Sequence, residues 1–263
     1  MITVTSLGRF GNNVLQLLNA IHIAQHLGHD EIRFNMPYFK SNKIVINKTA
    51  MNKKNLSGDF FYLDKYYTEI PGFEILTYEK ILSYAKIYLL PIIKYKKGYL
   101  SALQLNLEST LFIHIRSGDI FGPYAHGNYL PAPLDYYELI IISKPWSNVF
   151  VVYEDDKNPV VNKMKQKHPN FIYKSLNLSD TMSVFFEAKH IVGGFGTFVP
   201  GMLLFNNAFT SFYLPEYAVL PFSTFQYPQI KLIAVPDYIP DSKWVPNKEN
   251  FDKILNYIGC YFL

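Results

Sequence analysis

The chain has 263 residues, of which 49% are hydrophobic and 17% charged, with a formal net charge of +4 at pH 7. These totals exclude a disordered chain, and the length suffices for one large domain or two small ones with a substantial core. The single cysteine, Cys260, excludes an intrachain disulfide framework.

The charge is uneven. Residues 1–108 carry 13 basic and 8 acidic side chains, a net +5, whereas residues 109–263 carry 12 and 13, a net −1. Lys40, Lys43, Lys48, Lys53 and Lys54, with the Lys-Tyr-Lys-Lys run at 94–97, read as a solvated surface, and no nucleic-acid motif accompanies them. The opening residues lack a basic flank followed by an apolar stretch. The longest apolar run, Ile87 to Ile93, is too short for a membrane span and contains Pro91. The expectation is a soluble, cytoplasmic chain with no signal peptide and no transmembrane segment.

In chain order, strands alternate with helices. The β-branched start, residues 1–7, predicts a strand, and Gly8 to Asn13 a turn. Val14, Leu17, Leu18, Ile21 and Ala24 then recur at helical spacing, with Gly28 placed to end the helix. Residues 31–37 predict a second strand, 38–58 an exposed excursion and 77–90 a helix. Strand 111–116 leads into a Pro- and Tyr-rich loop, Phe121 to Tyr137, overlapping a helix at 134–143. Residues 148–156 predict a strand ending in acids. Asn158-Pro159 opens the next helix, 171–176 is a strand, and Ser179/Asp180 cap a helix over 178–190. Strands at 191–195 and 209–215 flank a short helix. A last helix, 247–258, is expected to pack back on the first half. The pattern predicts an α/β fold of two Rossmann-like halves divided near residue 108, with a ligand in the cleft at the carboxyl ends of the strands.

Unusual polar residues fall where such a fold presents ligands. Between the first strand and helix, Gly8 and Gly11 permit close backbone approach, the helix N-terminus favours an anion, and Arg9 adds a charge. In "FIHIRSGDIF", residues 112–121, His114 and Arg116 are two apart and are expected to share one strand face. Gly118 lets the chain turn and Asp119 follows. Arg116 suits a diphosphate through two N–H groups or a local ion pair with Asp119. Glu154, Asp155 and Asp156 can hold ribose or base, bind a divalent metal, or cap the next helix. Gly193 to Gly201, with Thr197, suggests a phosphate or ribose cradle, with Phe195 or Phe198 against a base.

These segments carry a resemblance. "GRFGNN" at 8–13 resembles the G-R-[FL]-G-N-Q motif of the α1,2- and protein O-fucosyltransferases. "IHIRSGD" at 113–119 is similar to their H-x-R-x-G-D segment, and 188–205 to a late segment of the α1,2-fucosyltransferases. The resemblance implies a GT-B fold of two facing Rossmann-like domains, 1–108 on the acceptor side and 109–263 binding the nucleotide sugar. It implies metal-independent, inverting transfer without a cofactor, from a GDP-sugar, commonly GDP-fucose, to a glycan acceptor. Arg116 would hold the donor β-phosphate, Arg9, Gly11 and Asn12 would line the site, and Gly196, Thr197 and Phe198 would touch the nucleotide. Asn13 and Gly196 depart from the family pattern, which leaves UDP-xylose or another UDP-sugar as an alternative donor. Asp119, then His114 and His126, are the candidate bases, and His126, Tyr129 and Tyr136 are the expected acceptor contacts. A metal-using transferase and a non-catalytic glycan- or nucleotide-binding protein stand as rivals.

Overall fold

The computed structural model describes residues 1–46, 55–218, 229–239 and 243–263. Lys48, Lys53 and Lys54 lie outside the described residues. The fold is mixed α/β with sheets rich in parallel strands. By its contacts the chain divides into a first unit, Met1–Lys94 with Pro200–Phe205, and a second, Tyr95–Val199 with Asn206–Leu263. The division falls before residue 108 because the segment after Lys94 is tied to the second unit. There Tyr95 meets Phe186 edge-on at 4.9 Å, and the amides of Gly98 and Tyr99 donate to Glu187 Oε1 and Ser183 Oγ.

The first unit holds a four-stranded sheet in the order β3-β2-β1-β4, built from β1 (Ile2–Val4), β2 (Glu31–Phe34), β3 (Lys43–Val45) and β4 (Leu56–Gly58). β1 pairs in parallel with β2 and β4, and β3 joins antiparallel. The expected excursion at 38–58 thus contributes two short strands. Helix α1 (Phe10–Leu27) lies against β1 and β2. It ends as its glycine predicts: Gly28 is left-handed at φ 70°, and its N–H donates to Ala24 O. Helix α2 (Asp64–Glu69) was not predicted. Helix α3 (Tyr78–Tyr84) opens on Thr77, whose hydroxyl accepts from Lys80 N, and it runs on as a wider turn through Leu89.

The second unit holds a seven-stranded sheet in the order β11-β10-β9-β8-β5-β6-β7. Its strands are β5 (Thr110–Ile115), β6 (Asn148–Tyr153), β7 (Ile172–Ser175), β8 (His190–Val192), β9 (Ser211–Pro215), β10 (Ile230–Ala234) and β11 (Tyr261–Phe262). All neighbours pair in parallel except β11, which is antiparallel to β10. Helices α4 (Leu134–Ile142), α5 (Pro159–Lys167) and α8 (Lys248–Asn256) pack together around Ile113, Ile115, Val149 and Val151. The last helix packs on α4 and α5 of its own unit. On the other face Phe112 meets Phe150 at 5.8 Å, and Phe185 of α6 (Leu178–Glu187) meets His114 at 5.7 Å. Burying each large apolar side chain stabilises by about 1.5–3 kcal/mol, which explains why the apolar central strands lie between helical layers. Helix α6 is capped by Asn177, whose side chain accepts from Asp180 N, and not by Ser179 or Asp180. Helix α7 (Phe198–Leu203) follows β8. Asp135, in the first turn of α4, accepts from the amides of Gly259 and Cys260 and so anchors the approach to β11.

Candidate functional site

In the second sheet the chain moves from β5 outward through β6 to β7, then returns to β8 on the other side of β5. The loops after β5 and β8 consequently diverge, and open parallel sheets bind ligands at such a point. Arg116 is the first residue after β5, and Gly193 the first after β8. A small pocket opens there, lined by Arg116, Tyr129, Pro131, Asn158, Gly194 and Phe195 among others.

Arg116 is held at its head. Its Cζ sits 4.5 Å from the Tyr129 ring centroid, and Tyr129 meets Phe195 edge-on at 5.3 Å. A Cβ added at Gly196, at φ +116°, would come within 2.8 Å of Arg116 Nη1, so a side chain there would strain the backbone and push the guanidinium aside. Nη2 reaches both carboxylate oxygens of Asp119 at 3.4 Å, a long pair with an Asp119 side chain 62% exposed. Arg116 Nε is buried with no hydrogen-bond partner among the described residues.

His114 does not share this environment. Its ring lies against Phe185 and Phe198, 5.7 and 5.0 Å away, whereas Arg116 shares its pocket with Tyr137 from α4. The expectation of one common face fails because the strand, and with it the alternation of side chains, ends at Ile115, before Arg116. His126 is exposed, edge-on to Tyr129 at 5.7 Å, with Nδ1 accepting from Asn128 N.

Tyr136 is corrected to a core residue. It is fully buried, and its hydroxyl sits 2.8 Å from Gly193 O and 2.9 Å from Tyr213 O. It ties the residue after β8 to the middle of β9, from the first turn of α4.

The acids after β6 do not act together. Asp155 Oδ1 accepts from the Ser117 hydroxyl and from the amides of Gly118 and Lys157, so its carboxylate ties down the β5 loop. Burial works to raise its pKa, but these hydrogen bonds and the Lys157 charge hold it below the ordinary carboxylate value. Asp156 pairs with Lys165 at 2.8 Å. The Glu154 carboxyl lies where a Cβ on Gly118 would be, at 2.8 Å. None of these acids caps α5, whose cap is Asn158, accepting from Val160 N. Among the described residues no group of three or more His, Cys, Asp or Glu is arranged to hold a metal ion. Thr197 and Phe198 are half-buried at the start of α7.

In the first unit, the glycine turn is shaped by α1. Arg9 occupies the N-cap position in an extended conformation and is exposed. Gly8, at φ +71°, has the Asn12 side chain folded over it, so any Cβ there would collide with the amide. Gly11 is buried, and a Cβ on Gly201 would lie 3.3 Å from its Cα, which makes it a close-packing position. Asn13 and Gln16 hold the turn from inside: Asn13 Nδ2 donates to Leu7 O at 3.3 Å, and Gln16 accepts from Leu7 N while donating to Thr5 O and Asp59 O. Asn13 is thus a buried scaffold residue.

Ser117 and Asn158 are the residues that sequence reasoning missed. The only signal at Asn158 was a helix opening, and Ser117 gave none.

No family model matches the chain, and comparison with curated proteins finds no match. Among the described residues no helix is long and apolar enough to cross a membrane.

Proposed function

We propose that the chain is a GT-B-class glycosyltransferase. It binds a nucleotide-diphosphate sugar, with GDP-fucose the leading candidate and a UDP-sugar the alternative, and transfers the sugar with inversion to a glycan hydroxyl. The observation that supports this reading is Arg116. Its guanidinium stands where the strand order reverses, is stacked in place, and retains a buried Nε–H without an acceptor. Leaving such a donor unsatisfied costs about 1–3 kcal/mol, and a diphosphate oxygen supplies what is missing.

In the proposed reaction an acceptor oxygen attacks the anomeric carbon, and the bond to the diphosphate breaks with negative charge growing on the leaving oxygen. Arg116 stabilises that charge, and losing such a donor typically costs ~10² to 10³ in rate. Asp119, beside Arg116 and open to solvent, takes the acceptor proton, a role typically worth ~10² to 10⁴. Tyr129 and His126 flank the acceptor. The reading needs no metal.

A thermal-shift and calorimetric screen of GDP, UDP and their sugars, followed by a transfer assay, tests this reading. Arg116→Ala is expected to lose nearly all transfer while remaining folded, and transfer is expected to survive EDTA. Wild-type turnover by Arg116→Ala would overturn the phosphate role. Loss on chelation with recovery on Mn²⁺ would overturn metal independence. Binding without turnover across a panel of acceptors would favour a non-catalytic binding protein.

A further inference from the structure

We propose that Asp155 and Asn158 are positioning residues that hold Arg116 ready for a diphosphate. This inference rests on the diphosphate role given to Arg116 above.

The β5 strand stops at Ile115, and the residues after it have no ladder to hold them. Ser117 lies outside the regular backbone regions and Gly118 is left-handed at φ +65°. An arginine on such a turn would wander unless the turn were tied down. The loop after β6 ties it. The Ser117 hydroxyl donates to Asp155 Oδ1, which also accepts from Gly118 N at 3.4 Å and Lys157 N at 3.0 Å. Asn158 N donates back to Ser117 Oγ at 3.0 Å, and Asn158 Nδ2 donates to Arg116 O at 2.9 Å. Ser117 is 0% and Asn158 1% exposed, so water does not compete for the bond between them.

The clasp fixes the backbone of residues 116–118, and the Tyr129 stack fixes the guanidinium. Arg116 is therefore held at both ends, with Nε–H still unpartnered. A donor fixed before the ligand arrives loses little freedom on binding and needs no reorganisation as charge develops. Asp155 and Asn158 act on the anion only through Arg116.

Calorimetry with GDP and with inorganic pyrophosphate tests this as a double-mutant cycle. The wild type, Asp155→Ala, Arg116→Ala and the double variant are compared, with thermal midpoints confirming that each is folded. Asp155→Ala is expected to weaken GDP and pyrophosphate about tenfold when Arg116 is present and to change nothing further when it is absent, a coupling in the ordinary range for one network. Asp155→Asn retains an acceptor and is expected to restore most of the affinity. Asn158→Ser keeps a helix-cap acceptor and adds no charge, but is too short to donate to Arg116 O, so it is expected to weaken binding as Asp155→Ala does, and it serves as the test if Asp155→Ala does not fold. Unchanged affinity in Asp155→Ala, or equal losses in both Arg116 backgrounds, would overturn the positioning role and leave the diphosphate reading standing. A wild type that binds neither GDP, UDP nor pyrophosphate would overturn the diphosphate reading itself, and the positioning role with it.

Discussion

The guanidinium of Arg116 lies over the face of Tyr129, 4.5 Å from Cζ to the ring centroid. This contact fixes where the charge points. A cation over an aromatic face at a partly exposed site gains about 0.5–1 kcal/mol. Tyr129→Phe preserves the face and is expected to leave nucleotide affinity unchanged. Tyr129→Ala removes it and is expected to weaken GDP binding by roughly two- to fivefold. Calorimetry on both variants checks the difference, and equal loss in both would point to the hydroxyl instead.

Gly196 shapes the same charge from the other side. A methyl group there would come within 2.8 Å of Arg116 Nη1, at a φ of +116° that L-residues rarely adopt. Gly196→Ala is expected to destabilise by about 1–3 kcal/mol from backbone strain. It is also expected to weaken nucleotide binding, by less than Arg116→Ala does, because the guanidinium is displaced and not removed. Urea titration and calorimetry read the two effects separately.

Tyr136 separates scaffold from site. Its buried hydroxyl serves Gly193 O and Tyr213 O. Tyr136→Phe takes the hydroxyl proton away from Gly193 O, while Tyr213 O keeps the Gly193 N–H at 3.0 Å, and it is expected to cost about 1–3 kcal/mol in urea titration. Calorimetry is expected to show no change in GDP affinity. A selective loss of acceptor use in a folded Tyr136→Phe variant would restore this residue to the acceptor side.

A buried histidine, His22, and a half-buried one, His190, set an acid limit on stability. His22 Nε2–H donates to Glu74 O at 2.7 Å, and His190 Nε2–H donates to Glu108 O at 2.9 Å. Burial lowers both pKa values below the ordinary 6.5. The unfolded chain takes up protons there before the folded one does. This stabilisation is therefore complete above about 6.5 and is lost as pH falls through the lower folded values. The thermal midpoint is expected to drop on going from about pH 7 to pH 5, and His22→Gln to flatten that drop. A midpoint that rises over this range would contradict the assignment.

The buried parallel strands were legible because continuous apolar runs such as Leu111 to Ile113 and Val149 to Val152 are too short for a buried helix and too apolar for a surface. Gly28 and Asn158 marked helix ends by local chemistry alone. β3 and β4 were not legible: Lys43–Val45 and Leu56–Gly58 are three residues each, set among lysines and asparagines, and sheet pairing outweighs so weak a local preference. Arg116 stood out because a guanidinium at the end of an apolar strand is expensive without a purpose. The role of Asp155 was hidden because it depends on a loop 38 residues earlier in the chain, and no spacing rule reports that Ser117 would be its partner. His114 and Arg116 were placed together by strand alternation, which holds only while the strand continues, and it ends between them.

The antiparallel pairing of β11 has a consequence for self-association. A parallel sheet ending on β10 would present an open row of amides and carbonyls to any passing chain. β11 covers part of that row with two residues, Tyr261 and Phe262, anchored through Asp135. A strip so short is a poor template for another molecule's backbone. The larger sheet thus finishes on a short terminator, and loosening the Asp135 anchor is expected to leave its margin more adhesive.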